Sequence, residues 1–409
     1  MPLIVAVFAA AAALATSGCG RSEKRTVSRS SSSRTTAPAR PTIDWPIYGL
    51  TPDHHRYLPV SIPPPYRIRW TFNSSGLLEF PPAISNGVLY QLNDNAVLNA
   101  VDTRSGRPRW YRQLGALSAS TPAVGGGAVY ATVLDRGSGA GRVTALSAAD
   151  GHTLWTRDLP SASESSPLLH GGTLYFGTQG GTVYALRARD GGVKWTFSTS
   201  GAVKGSPTLA GGALYFGDYG HEVHAVSAST GQPIWTAQGS DSFYATAAVA
   251  YGRVYIGDTS GEVYAFDART GNQLWSQGTG SDVYASAAVL DAPRLGPTIY
   301  LGSYDGNFYA LDARSGAVRW IYPAGGRISG SATIIGRIVY FADLADHTTT
   351  GLDVVSGRPV YRYRHGTFDP ITSDGQRLYL DGLDSVVALD PARPPSPIGT
   401  PPAGGPAAG

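Results

Sequence analysis

Few of the side chains able to do chemistry in this sequence fall at the spacings that chemistry requires. The chain has eight His and one Cys, Cys19. A single thiol permits neither an internal disulfide nor a cysteine-rich metal site. His54 and His55 invite a metal reading, but adjacent residues on an extended chain point to opposite sides. A packing or exposed pair is therefore expected there. Asp218, Asp258 and Asp305 recur at repeat positions near turns, which makes them turn formers in preference to a catalytic set. No Ser-His-Asp order, glycine-rich phosphate loop or His-x-x-x-His spacing stands out to supply a nucleophile, a phosphate cradle or zinc ligands. Aromatic residues beside charges remain, in a group comprising Glu164, Lys204, Tyr219, His221, Phe243, Tyr244, Tyr284 and Tyr304. Such a mixture suits recognition of a protein, peptide or glycan.

The elements that position this group are set by a repeat. Ala265-Phe266-Asp267-Ala268-Arg269-Thr270-Gly271-Asn272-Gln273-Leu274-Trp275 follows the pattern Ala-x-Asp-x-x-Thr/Ser-Gly-x-x-x-Trp. The pattern returns at 100–110 and 310–320, with Ser for Asp at 225–235, more loosely at 145–155 and 185–195, and in decayed form at 351–361, where Tyr361 replaces Trp. The anchoring positions are Trp70, Trp110, Trp155, Trp195, Trp235, Trp275, Trp320 and Tyr361, spaced by 40, 45, 40, 40, 40, 45 and 41 residues. A period of this length signals a solenoid, propeller or array. Within the unit 242–278, β-branched and aromatic stretches separated by Gly and Asp predict four strands, at 243–250, 253–257, 262–267 and 274–277. Four short antiparallel strands per unit make a propeller blade. The extra residues of the two long units, 135–141 and 291–297, fall in predicted loops.

Seven complete units end at Trp110 through Tyr361. Residues 367–390 supply three strands of an eighth, and residues 67–72, around Trp70, supply its fourth. Pairing the two chain ends in one sheet leaves no open ring edge. The expected fold is all-β, an eight-bladed propeller over 43–390. In each motif the Asp or Ser accepts hydrogen bonds from its turn, Gly allows positive φ, and Trp covers the adjacent blade. The motif is read as structural.

The 52 Gly, 23 Tyr and low charge content of 15% suit short strands and tight turns. Residues 20–42 carry six basic side chains against Glu23, a net +5; with +3 for the whole chain, the remainder is −2. The basic character belongs to this segment, so it gives no reason to assign nucleic-acid binding to the folded body. Residues 3–16 are apolar and too short for a comfortable membrane span. They resemble the core of a secretory signal that ends in Thr16-Ser17-Gly18-Cys19. The small residues before Cys19 resemble a bacterial lipoprotein processing site, implying lipidation of Cys19 and an extracytoplasmic, membrane-anchored chain. The alternatives are an ordinary signal peptide and an uncleaved anchor. Residues 20–42 then read as a disordered tether, 44–60 as an ordered entry segment, and 391–409, rich in Pro, Gly and Ala, as a disordered tail.

The eleven-residue motif resembles the tryptophan-docking motif of pyrroloquinoline quinone (PQQ) repeat proteins, which form eight-bladed propellers. Asp44-Trp45, Tyr48-Gly49 and Arg56-Tyr57 also resemble the start of quinoprotein alcohol dehydrogenases. One branch of this family comprises PQQ enzymes. Another comprises cofactor-free scaffolds, including the lipoprotein of the outer-membrane β-barrel assembly machinery and extracytoplasmic propellers of bacterial kinases. The enzyme branch implies a disulfide of adjacent cysteines, Ca²⁺ ligands, a catalytic Asp and a Trp within the ring. The single Cys forbids the first, and the propeller Trp all fall at docking positions. The expected function is therefore a scaffold that binds a partner without catalysis, cofactor or metal. A dehydrogenase using PQQ with Ca²⁺ and a cell-wall glycan-binding module are the alternatives. A binding surface is expected where the repeats differ, at Glu79, Ala119, Glu164, Lys204, Tyr244, Tyr284, Ser329 and Phe368 near the channel, with Glu164 and Lys204 able to pair. Tyr219, His221 and Tyr304 are expected on hairpin tips of the same face.

Overall fold

A computed structural model describes residues 42–398 apart from 136, 138 and 369. The expected signal, Cys19 and nearly all of the tether lie outside the described residues, as do residues 399–409. The described chain is all-β and forms eight antiparallel four-stranded blades. Their innermost strands are Ala83–Ser85, Ala123–Gly125, Leu168–His170, Thr208–Ala210, Ala248–Ala250, Ala288–Ala292, Thr333–Ile335 and Thr372–Ser373. These define blades 1 to 8. In blade 8 the outer strand is Tyr66–Asn73, paired antiparallel with Ser385–Pro391, so both chain ends close one sheet.

Blade 5 adds Arg253–Gly257, Glu262–Asp267 and Gln273–Gly278. Its second and third strands keep their expected bounds, but the first is three residues long where eight were expected. The inner strand borders the channel and has no sheet neighbour on that side. Residues 243–247 instead run as a loop across the channel mouth. The 291–297 insertion differs similarly: part of it extends the hairpin of blade 6, where Asp291 pairs with Pro297 and Ala292 with Gly296.

The repeated motif is a clasp between blades. A bulge follows its first residue, so that Ala265 opposes Trp275 while Phe266 opposes Gln273. This extra residue re-aims the indole. Trp235 Nε1 then donates to Ala268 O of the next blade at 3.0 Å, and Trp155, Trp195 and Trp275 donate to Ala188, Ala228 and Ala313 O. The motif Gly is the floor for that ring. Gly271 has φ +76°, and a Cβ there would stand 2.7 Å from Trp235 Cδ2. Asp267 Oδ1 accepts the N–H groups of Arg269 and Thr270 and the Thr270 hydroxyl, which fixes the turn. A Tyr on the second strand, not anticipated, joins the clasp. Tyr215 Oη donates to the same Ala268 O at 3.1 Å, and its ring lies 5.9 Å from that of Trp235.

Tyr361 departs from Trp for a structural reason. Its neighbour is blade 8, whose third and outer strands come from opposite chain ends and have no connecting turn. Neither a motif Gly nor a turn carbonyl exists there. Tyr66 fills the place, with its ring 4.8 Å from Tyr361 and its hydroxyl 2.6 Å from that of Tyr340.

The entry segment is ordered and circles the channel. Ile43 N donates to Asp374 O of blade 8, and Trp45 exchanges two backbone bonds with Ile84 of blade 1. The carbonyls of Pro46, Pro52, Asp53, His55 and Arg56 accept from Val124, Leu209, Val249, Val289 and Ile334, on blades 2, 4, 5, 6 and 7. Each donor is the second residue of an inner strand, so the segment satisfies edge N–H groups that no sheet neighbour could reach. The chain then pairs Tyr57–Leu58 parallel with Thr333–Ile335. The expectation of disorder needs correction for residues 391–398: Ser396–Pro397 pairs with Val60–Ser61, and Ile398 N donates to Pro59 O. That short strand edge offers these residues backbone partners despite their Pro-rich composition.

Candidate functional site

The loops entering the inner strands place one variable residue four positions before each strand. These are Glu79, Ala119, Glu164, Lys204, Tyr244, Tyr284, Ser329 and Phe368. Two positions further on lies a layer that the sequence reading missed. Thr121 N donates to Ser166 Oγ, Ser206 N to Thr246 Oγ1, Thr246 N to Ser286 Oγ, and Ser286 N to Ser331 Oγ. Each hydroxyl caps a backbone N–H of the preceding blade, so these loops are tied blade to blade. The signal was present: Thr121, Ser166, Ser206, Thr246, Ser286 and Ser331 share one repeat position.

Above this layer is a cavity of about 380 Å³. Tyr219 from blade 4, Tyr244 from blade 5, and Tyr284 and Tyr304 from blade 6 line it with Glu79, Phe80 and Phe368. Tyr48 of the entry segment also lines it; its hydroxyl lies 2.8 Å from Ser331 Oγ, and the Arg56 guanidinium lies 4.0 Å from its ring centroid. The tyrosines hold one another edge to face, with Tyr284 5.3 Å from Tyr244 and 4.7 Å from Tyr304. Burial, and then the charge of Glu164, push the Tyr219 phenol up to about 12. Burial and Asp282 push Tyr284 up to about 12, and burial raises Tyr244 further. The phenols therefore stay protonated near neutral pH and can donate hydrogen bonds. Burial, then Asp94 and Glu164, raise the Glu79 carboxyl.

The remaining expected residues divide. Glu164 and Lys204 pair at 3.2 Å, and the ammonium also lies over the rings of Tyr219 and Tyr244, 5.2 and 6.0 Å from their centroids. His221 stands exposed, 3.6 Å from Asp241, and does not line the cavity. Phe243 requires correction as a contact residue. It is fully buried, packed toward Gly217, Gly239 and Tyr264, because a ring at this loop position turns into the wall between blades 4 and 5. His54 and His55 diverge, with His54 at φ +55° and not in an extended chain. His54 Nδ1 meets Thr208 Oγ1 of blade 4 at 3.0 Å, and His55 Nε2 meets Val249 O of blade 5 at 2.6 Å.

The residues lining this cavity do not suit PQQ. That cofactor is a planar tricarboxylate, whereas among the described residues the one charged lining side chain is Glu79, an acid. Charge repulsion and the cost of burying unpaired carboxylates oppose that fit.

Eight blades, joined by tryptophan clasps at every seam but that of Tyr361, define a PQQ-like-repeat propeller. The family model described as outer membrane protein assembly factor BamB matches residues 66–206, 139–295 and 292–392, and the chain belongs to this family. BamB from Moraxella catarrhalis superposes with a TM-score of 0.66 at 20% identity, over 80% of this chain and all of that one. Quinohemoprotein alcohol dehydrogenase from Comamonas testosteroni matches with a TM-score of 0.69 at 15% identity, over 86% of this chain and 82% of that one. A europium-containing methanol dehydrogenase also reaches 0.69, at 14% identity, over 82% and 89%. At these identities the structural likeness is one of fold. No curated protein matches the sequence.

Proposed function

We propose that this chain is a non-catalytic extracytoplasmic scaffold, anchored through a lipidated Cys19, that grips a segment of a protein partner at the channel mouth. The observation that carries this reading is the convergence of Tyr219, Tyr244, Tyr284 and Tyr304 on one cavity lined from the channel side by Tyr48. Tyrosines held against one another lose little side-chain freedom on binding, and their protonated hydroxyls can orient a partner. Membership of the assembly-factor family supports a scaffold role. The likeness to quinoprotein dehydrogenases is met by a cavity whose lining disfavours the quinone.

The test replaces Tyr284 in the full-length protein with a photo-crosslinking phenylalanine and identifies what is captured in intact cells. Tyr244→Ala and Tyr284→Ala should each reduce recovery of that partner about tenfold or more, the range of an interface anchor. Unchanged recovery from both variants, or capture of glycan in place of protein, would overturn the partner reading. Saturable PQQ binding with Ca²⁺ and dye-linked alcohol or sugar oxidation would overturn the non-catalytic one.

A further inference from the structure

The geometry points to a divalent metal site of the Zn²⁺ class on the second hairpin of blade 4, built from Asp218, Glu222 and His224. This inference does not depend on the partner reading.

Their ligand atoms lie within 4.8 Å of one another. His224 Nε2 is 3.2 Å from Asp218 Oδ2 and 3.8 Å from Glu222 Oε2. A tetrahedral ion with bonds of about 2.0–2.1 Å sets its donors about 3.3 Å apart. The first distance already matches, and the second closes by a small torsion of Glu222, whose side chain keeps 29% exposure. Ser200 Oγ, 3.0 Å from Glu222 Oε2 and 3.4 Å from Asp218 Oδ2, marks the solvent side, where a hydroxyl or water completes the set.

The imidazole is oriented for this task. Its Nδ1 lies 3.3 Å from Thr236 Oγ1, a hydroxyl able to accept the N–H and leave Nε2 as the lone-pair donor. Histidine ligands to metals are commonly held through the other ring nitrogen in this way. Phe216 stacks on the ring at 5.3 Å and Phe197 meets it edge-on at 5.6 Å. Asp218 Oδ1 is occupied by the Glu222 N–H, so Oδ2 is the oxygen presented to His224.

The neighbouring blades give the contrast. The residue equivalent to His224 is Tyr264 in blade 5 and Tyr309 in blade 6, and each phenol donates to the turn carboxylate, Asp258 or Asp305. In blade 5 Asp258 Oδ2 also accepts the N–H groups of Ser240 and Asp241, whereas in blade 4 Asp218 is met by the Gly201 N–H and the Ser200 hydroxyl. Blade 4 replaces the phenol donor with an imidazole and turns a second carboxylate onto it. An ion there would tie the blade 4 hairpin to the loop bearing Ser200, beside Tyr219 of the mouth cavity.

The test is titration of the untagged, metal-free folded protein with Zn²⁺ by calorimetry, and with Co²⁺ by visible absorption. One equivalent should bind at micromolar affinity or tighter, with Co²⁺ giving the intense bands of a tetrahedral site. His224→Tyr installs the residue the neighbouring blades carry, so the propeller should fold; it should weaken binding about 100-fold. Thr236→Val should weaken it about tenfold, and His221→Ala should leave it unchanged. Absence of stoichiometric binding in the parent protein, or equal binding by folded His224→Tyr, would overturn the site. In either case the three side chains form only an internal ion pair.

Discussion

At the propeller rim, Trp155, Trp195, Trp235 and Trp275 each meet the same partners: a turn carbonyl, a motif Gly and a second-strand Tyr of the same blade. At the channel mouth, blades 3 to 6 present Glu164, Lys204, Tyr244 and Tyr284 from one equivalent position. The rim residue must fill a socket whose shape is fixed by its neighbour, so its identity repeats. The mouth residue faces open space and sibling side chains, so its identity is free to differ. Substitutions at the rim should therefore cost stability, and substitutions at the mouth should cost recognition.

The largest effect is expected from Trp195→Ala, which empties a buried socket. Loss of an aromatic ring of this kind costs about 3–5 kcal/mol, read from the midpoint of urea unfolding. Gly231→Ala at the facing turn should cost about 1–3 kcal/mol, because its Cβ would stand 2.7 Å from Trp195 Cε3 at φ +73°. With the ring already removed, only the conformational part of that cost should remain. Strict additivity of the two would mean that ring and glycine do not act as a unit.

Tyr361→Trp tests the comparison from the other direction. If the socket and not the motif favours Trp, restoring Trp opposite blade 8 should fail to stabilise. The larger ring would meet Tyr66 and Tyr340 with no turn carbonyl to accept its N–H. A loss of about 1–3 kcal/mol is expected; a gain in thermal midpoint would contradict the account of the decayed copy.

The blade count, the closure and the clasp were legible because each is written several times, so the period exposes them. The course of residues 43–58 occurs once, in a segment with no repeat to compare, and the short inner strands take their channel-side backbone partners from it. Glu164 with Lys204 was legible because neighbouring blades bring equivalent positions together. Phe243 was misassigned because one residue separates a ring facing the wall from a ring facing the mouth. His224 was overlooked because it reads as an isolated substitution until the fold brings Glu222 and Asp218 beside it.

The entry segment joins the two regions, and it carries a pH signature. Burial, and behind it the charge of Arg56, pull the His54 imidazole from 6.5 down to about 3. His54 is neutral in both states above about pH 6.5, so its docking contribution is full there. Below that value the unfolded chain takes up a proton that the folded one refuses, and the contribution is lost as pH falls toward 3. The limiting slope is about 1.4 kcal/mol per pH unit. Comparing unfolding free energies in urea at pH 7 and pH 5, His54→Gln should flatten the difference by about 2 kcal/mol; an unchanged pH dependence would mean that His54 titrates normally.

The smallest stability effect should fall at the mouth. Tyr284 is half-buried, and its ring rests on Tyr244 and Tyr304 without filling a closed socket. Tyr284→Ala gives up edge-to-face contacts of about 0.5–1.5 kcal/mol each, and part of that returns as the neighbours relax into the cavity. A net loss of about 1 kcal/mol in urea unfolding is expected, several-fold below Trp195→Ala. The same variant should show the largest loss of partner recovery. A loss of stability equal to that of Trp195→Ala would make Tyr284 a second clasp. The variation around the mouth would then reflect packing, and the contrast with the rim would collapse.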